Sequence, residues 1–134
     1  MNTFPLTIVT PDGVAYDGKA EMLSVRTTTG DIGILAGHMN CVLPLGMGRA
    51  TVVIDGKRRH AACIGGMLSV LGGSVKLVPT TFEWAEDIDL ARAEASYQHA
   101  NDTLQNKNAS QTDIALAEAR LKRALVRKGI AQIK

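Results

Sequence analysis

Short apolar-rich runs separated by turn residues fill the first part of the chain. Leu6 to Val9, Met22 to Arg26, Arg49 to Ile54, Ala61 to Ile64, Met67 to Leu71 and Val75 to Val78 are rich in β-branched and bulky apolar side chains. Runs this short, bounded by glycine and proline, predict β-strands. Pro11-Asp12-Gly13 predicts a turn, because proline presets φ at the first turn position and glycine tolerates the positive φ that follows. Asp55-Gly56 between two such runs is a hairpin signal, and Gly65-Gly66 and Gly72-Gly73 punctuate the next strands in the same way. Many short strands at this spacing imply a sandwich or a barrel.

The pattern changes after Glu83. Glycine disappears until Gly129, and alanine, leucine and charged residues take over, the composition of helices. Leu90, Ala93, Tyr97, Ala100 and Leu104 recur at spacings of three and four, a single apolar stripe on one helix; Ile114, Ala117, Leu121 and Ala124 repeat it on a second. Asn106-Lys107-Asn108-Ala109 lies between them, and Ser110 with Asp113 three places on has the form of a capping box. The expectation is an antiparallel helical hairpin over 85–134 behind a β domain over 1–84. An interface so rich in alanine packs closely but buries little apolar surface, at about 25 cal/mol per Å², so the hairpin is light enough to open.

Composition adds exclusions. A chain of 134 residues, 46% apolar and 21% charged with net charge +2, is an ordinary globular protein, neither a disordered acidic tail nor a basic nucleic-acid arm. No apolar run approaches the roughly 18 residues of a spanning helix, and Met1 to Gly13 lacks the pattern of a signal peptide, so a cytosolic location is expected. Cys41 and Cys63 show no metal-ligand spacing and read as reduced, small apolar residues. Charge is segregated along the helices. Glu83, Glu86, Asp87, Asp89, Glu94 and Asp102 stand on the first helix and its lead-in, and Arg120, Lys122, Arg123, Arg127 and Lys128 on the second. This suits both helix dipoles and also equips the second helix to meet an acidic partner or phosphates.

Gly13-Val14-Ala15-Tyr16-Asp17-Gly18-Lys19-Ala20 nearly matches a phosphate-binding loop, but Ala20 has no hydroxyl for magnesium and the residues after it alternate like a strand, so the segment reads as a turn. His38 and Cys41 are spaced as a base and a thiol nucleophile would be, with no assigned carboxylate except Asp31 to orient them; a small hydrolase on that pair is the weakest of three functional readings. His60, beside Arg58 and Arg59, reads as a solvated strand position.

Gly30-Asp31-Ile32-Gly33-Ile34-Leu35-Ala36-Gly37-His38, Thr10-Pro11-Asp12-Gly13, Gly65-Gly66-Met67-Leu68-Ser69-Val70 and the alanine-rich hairpin occur here in one order. Together they resemble the epsilon subunits of bacterial F-type ATP synthases along the whole chain. The usual pattern there is close to GELGILPGH, then a GGFLEV-like strand, then a tail beginning AEDID. This chain has Ala36 where proline is common, and Met67 and Ser69 where phenylalanine and glutamate are common.

The resemblance implies a ten-stranded β-sandwich followed by a two-helix hairpin, without a catalytic site. It implies docking on the gamma subunit and the ring of c subunits, as part of the rotor that couples ion flow to ATP synthesis. The location implied is the cytoplasmic face of the bacterial membrane, reached only through the complex, with no nucleic-acid partner. Asp31, expected in a loop, would face the c-ring, and the alternative for it is a turn cap. The hairpin would fold against the sandwich or rise into the catalytic head, where Arg120, Arg123 and Arg127 meet a beta subunit and ATP hydrolysis is blocked. Some family members bind ATP through I-D-x-x-R-A, complete here as Ile88-Asp89-Leu90-Ala91-Arg92-Ala93; Glu83, Arg123 and Arg127 match further ATP contacts. The resemblance thus requires no cofactor and gives ATP as a regulatory ligand. His99 stands where the tight binders have another arginine, and Asp89 and Arg92, three apart, read as one helix face or as a simple intrahelical pair. A reading from a different class is a free-standing adaptor whose β domain binds one protein and whose hairpin zips with another.

Overall fold

The computed structural model describes residues 2–131, so residue 1 and residues 132–134, the outer limits of both expected ranges, lie outside the described residues. The chain forms two compact units, Met1–Trp84 and Ala85–Lys134. The first holds ten strands: β1 Phe4–Thr10, β2 Gly13–Ala20, β3 Met22–Thr27, β4 Gly30–Ile34, β5 Cys41–Pro44, β6 Met47–Ile54, β7 Lys57–Ile64, β8 Met67–Leu71, β9 Ser74–Val78 and β10 Thr81–Trp84. They make two five-stranded sheets, ordered β2-β1-β9-β8-β5 and β10-β7-β6-β3-β4. Pairing is antiparallel except between β1 and β9. The expected ten-stranded sandwich is what forms, and the barrel alternative is not.

Strand alternation builds the core. Leu6 and Ile8 on β1, Leu23 and Val25 on β3, Val52 on β6, Leu68 and Val70 on β8 and Leu77 on β9 are fully or almost fully buried, and along β1, β3, β8 and β9 every second residue points inward. Fully burying such side chains contributes roughly 1.5–3 kcal/mol each.

Three sequence expectations change at this level. The segment 13–20 is strand β2, paired along β1, and the turn is confined to Pro11 and Asp12. As an edge strand exposed on much of both faces, β2 carries no clean hydrophobic alternation to read. Gly65-Gly66 is not a hairpin turn like Gly72-Gly73 but a corner that carries the chain from one sheet to the other. Its backbone is tied to the β5–β6 connection by Leu45 N–H to Gly66 O at 2.8 Å and Gly65 N–H to Gly46 O at 2.9 Å. His60 is half-buried, its Nδ1 3.0 Å from the hydroxyl of Thr51, its partner across the β6–β7 ladder. Asp55-Gly56 is the hairpin turn expected, both residues at positive φ (52° and 76°), as a two-residue turn between twisted strands demands.

The second unit opens with a 3-10 turn at Ala85–Asp87, followed by α1 Leu90–Gln105 and α2 Gln111–Ala131. Ser110 and Asp113 form the expected reciprocal box: the Asp113 N–H donates to the Ser110 hydroxyl at 3.1 Å, and the Ser110 N–H to Asp113 Oδ2 at 3.3 Å. Ala93 and Ala100 are the buried residues of α1; those of α2 are Ala117, Ala124, Ile130 and Ala131. Leu90, expected in the buried stripe, is exposed because α1 only begins there.

Candidate functional site

Asp31 is the second residue of β4, not a loop residue. Thr28 and Thr29 make the turn, Gly30 opens the return strand at φ 127°, and Asp31 falls opposite Arg26. Its Oδ1 lies 3.8 Å from Arg26 Nε, and both side chains are largely exposed. Asp31 is therefore neither loop-borne nor a turn cap. A surface pair at this distance contributes at most about 1 kcal/mol, and it leaves a carboxylate presented to solvent.

Exposed apolar residues gather on one sheet. Val42 on β5, Met67 and Leu71 on β8 and Val78 on β9 face outward from the β2-β1-β9-β8-β5 sheet, and Pro44, Met67 and Val78 are direct cross-strand neighbours. Leu35 and Met39, in the β4–β5 connection, are 61% and 75% exposed. Each outward apolar residue alone is unremarkable, and only the strand register collects them. Sequence reading expected such a surface but had no register from which to choose a face.

His38 and Cys41 build no catalytic pair. The His38 Nδ1 bonds the Met39 carbonyl at 2.8 Å, and Cys41 lies on β5. Cys63 is buried, and desolvation pushes its thiol up to about 12, so it is unreactive at neutral pH.

The I-D-x-x-R-A segment straddles the start of α1. Asp89 is its N-cap, with extended backbone at φ −81°, ψ 101°, and its Oδ1 accepts the Arg92 backbone N–H at 3.1 Å. Asp89 and Arg92 are thus not two residues of one helix face, as the spacing led us to expect. The aspartate stands before the helix, which is where an acceptor with free donors above it is stabilising. Ile88 is half-buried, Arg92 exposed and Ala93 buried. On α2, Arg120, Arg123 and Arg127 follow at spacings of three and four and share a face; Arg120 is exposed, and Arg123 and Arg127 are half-buried. The 3-10 turn packs against α2. The antiparallel hairpin therefore places the start of α1 beside the C-terminal half of α2, where Arg123 and Arg127 stand. Glu83 belongs to the first unit, on β10 opposite Ala62. His99 lines a cleft of about 330 Å³ with Thr103, Asp113, Leu116 and Arg120. Among the described residues no cluster of His, Cys, Asp and Glu is arranged to hold a metal ion, and no helix is long and apolar enough to cross a membrane.

The structure is a five-on-five β-sandwich followed by a helical hairpin, with exposed apolar and charged surface. The family models match it part for part: the ATP synthase Delta/Epsilon chain β-sandwich domain covers residues 3–85, and the long α-helix domain of the same chain covers residues 86–132. The chain belongs to the Delta/Epsilon chain family of ATP synthases. It is 44% identical to an ATP synthase epsilon chain of Bacillus velezensis over 98% of both chains, and 41% identical to that of Caldanaerobacter subterraneus over 96% of this chain and 94% of the other. Among solved structures it resembles a chain of the Euglena gracilis mitochondrial ATP synthase (TM-score 0.83, 22% identity, 95% of this chain and 80% of that one). A chain of the Tetrahymena thermophila ATP synthase central stalk and c-ring also matches (TM-score 0.62, 12% identity, 96% of each). At those identities the likeness carries the fold.

Proposed function

We propose that this chain is the non-catalytic epsilon subunit of a bacterial ATP synthase rotor, whose sandwich docks on the gamma subunit and the c-ring and whose hairpin restrains ATP hydrolysis. The observation that carries this reading is the match of both units, in order and over nearly their whole length, to epsilon chains of Bacillus. The outward face carrying Val42, Met67, Leu71 and Val78 supplies apolar contact area for gamma, with Asp31 directed at polar loops of the c-ring. The location is the cytoplasmic face of the membrane, held through the complex.

The hairpin is the regulatory part. When extended, Arg120, Arg123 and Arg127 meet an acidic segment of a beta subunit; when folded, Ile88, Asp89, Arg92 and Ala93, with Glu83, Arg123 and Arg127, bind ATP. A guanidinium set on one helix face suits either anionic partner. Because ATP would bind only the folded hairpin, it stabilises that state by RT ln(1 + [L]/Kd), about 2.7 kcal/mol at a hundredfold excess over Kd.

Co-purification with gamma and c subunits tests the assembly, and a protein that associates with neither is not a rotor subunit. Neutralising Arg120, Arg123 and Arg127 together should raise hydrolysis by the assembled enzyme at matched occupancy, and unaltered hydrolysis would remove the inhibitory role. Calorimetry with millimolar ATP tests the ligand: absence of heat removes ATP from the scheme and leaves Asp89 as a helix cap.

A further inference from the structure

The two helices of the hairpin meet through alanines. Ala100 of α1 and Ala117 of α2 line one cleft, which fixes the alignment of the antiparallel pair. Ala93 and Ala124, both buried, lie one heptad further from the connecting loop and fall in the next layer. Methyl groups remove little apolar surface from water, so this seam brings the helices close without holding them firmly.

One aromatic side chain interrupts the seam. Tyr97, half-buried, lies between Ala93 and Ala100 in the α1 stripe. On α2 the stripe that runs through Ala117 and Ala124 continues at Lys128, where an amphipathic helix would ordinarily carry another apolar residue. The Lys128 ammonium sits 4.9 Å from the centre of the Tyr97 ring. Helical side chains lean toward the N-terminus of their own helix. In an antiparallel pair Tyr97 leans to the layer of Ala93 and Lys128 to the layer of Ala124, which is the same layer.

We propose that Lys128 and Tyr97 form a charge-dependent clasp that sets how readily the hairpin opens. The ring quadrupole attracts the ammonium, and the lysine stem covers ring surface that an alanine seam leaves open. Every other contact in that stripe is a methyl group or a half-buried aliphatic chain, so removing this one charge changes the opening equilibrium measurably. The inference rests on hairpin geometry alone and stands whether or not α2 engages a beta subunit or the helices bind ATP.

The test uses the full chain with Ala100→Cys as reporter, because position 100 is 0% exposed and its thiol meets iodoacetamide only when the helices part. Peptide mapping separates it from Cys41 and Cys63. Lys128→Met keeps the apolar stem and should accelerate alkylation about two- to fivefold, the equivalent of an exposed cation–π pair, and Lys128→Arg should keep the wild-type rate. In a Tyr97→Leu background, Lys128→Met should add nothing. An unchanged rate in Lys128→Met, or the same acceleration with and without the tyrosine ring, overturns the clasp.

Discussion

Asp89 has two oxygens and, in the reading above, two duties. Its Oδ1 caps α1 by accepting the Arg92 N–H at 3.1 Å, and under the proposed ATP binding Oδ2 is the oxygen left to accept an N–H of the nucleotide. Asp89→Ala removes both duties, whereas Asp89→Ser keeps a capping acceptor and removes the carboxylate. Loss of an N-cap costs about 1 kcal/mol, roughly a fivefold change in the population of the frayed first turn. A hydrogen bond to a charged group contributes about 1.5–3 kcal/mol, roughly ten- to a hundredfold in Kd. Asp89→Ser should therefore weaken ATP by that ten- to hundredfold with the helix unchanged. Asp89→Ala should weaken it by up to about fivefold more, because the binding-competent state is also depleted. Calorimetry reads the affinities, and amide hydrogen exchange over the first turn of α1 reads the cap. Wild-type affinity in Asp89→Ser would refute the ligand role, and unchanged exchange in Asp89→Ala would refute the cap.

Four further outcomes concern the sandwich. A Cβ at Gly66, where φ is 98°, would overlap the Val78 carbonyl oxygen and approach Pro79 Cα to 2.6 Å; Gly66→Ala should cost about 2–5 kcal/mol in urea unfolding. Gly13→Ala, with φ 125° but nothing within 4 Å, should cost only the strain, about 1–2 kcal/mol. Burial, then Arg49 and Arg58, hold the His60 imidazole below its ordinary value of 6.5. The unfolded chain thus takes up this proton first as pH falls, so stability drops from about pH 7 down to the folded pKa and levels off below it. His60→Gln should flatten that limb of the urea midpoint against pH. Native Cys63, its thiol at about 12, should alkylate far more slowly than Cys41, and the difference should vanish in denaturant.

The strands with one buried face were legible because burial writes alternation into the sequence: β3, β8 and β9 all announce themselves. Edge strands did not. β2 and the four-residue β5 and β10 lie at sheet edges, where one row of backbone groups and much of each face meet solvent, so little selects their side chains for pattern. The helices, their loop and the Ser110 cap were legible because spacing and cap chemistry are local. Asp89 was taken into the helix when it stands one residue before it, since a spacing of three fits a helix face and a cap equally; the discriminating signal was its position just before the first apolar residue of the stripe. Asp31 was expected in a loop from the family resemblance, whereas pairing of β3 with β4 carries it into the strand, with Gly30 opening that strand at positive φ. The outward apolar face and the Tyr97–Lys128 contact were out of reach, since both depend on which strands or helices become neighbours.

Stability is distributed unequally between the two units, and the proposed regulation would draw on that inequality. The sandwich buries Leu6, Ile8, Leu23, Val25, Ile34, Leu68 and Leu77 completely or nearly so, each contributing roughly 1.5–3 kcal/mol. The hairpin seam buries Ala93, Ala100, Ala117 and Ala124, whose methyls contribute about 0.8 kcal/mol apiece, against about 1–2 kcal/mol of backbone entropy for every residue ordered. Buried Ile130 and Ala131, half-buried Leu104, Ile114 and Leu121, helix propensity, the two caps and the Lys128–Tyr97 contact make up the difference, so the hairpin belongs at the low end of local stability and the sandwich at the high end. In such an element each increment matters. A ligand spanning both helices at ten times its Kd adds about 1.4 kcal/mol, the same size as one cap or one clasp, and that is enough to change which hairpin state predominates.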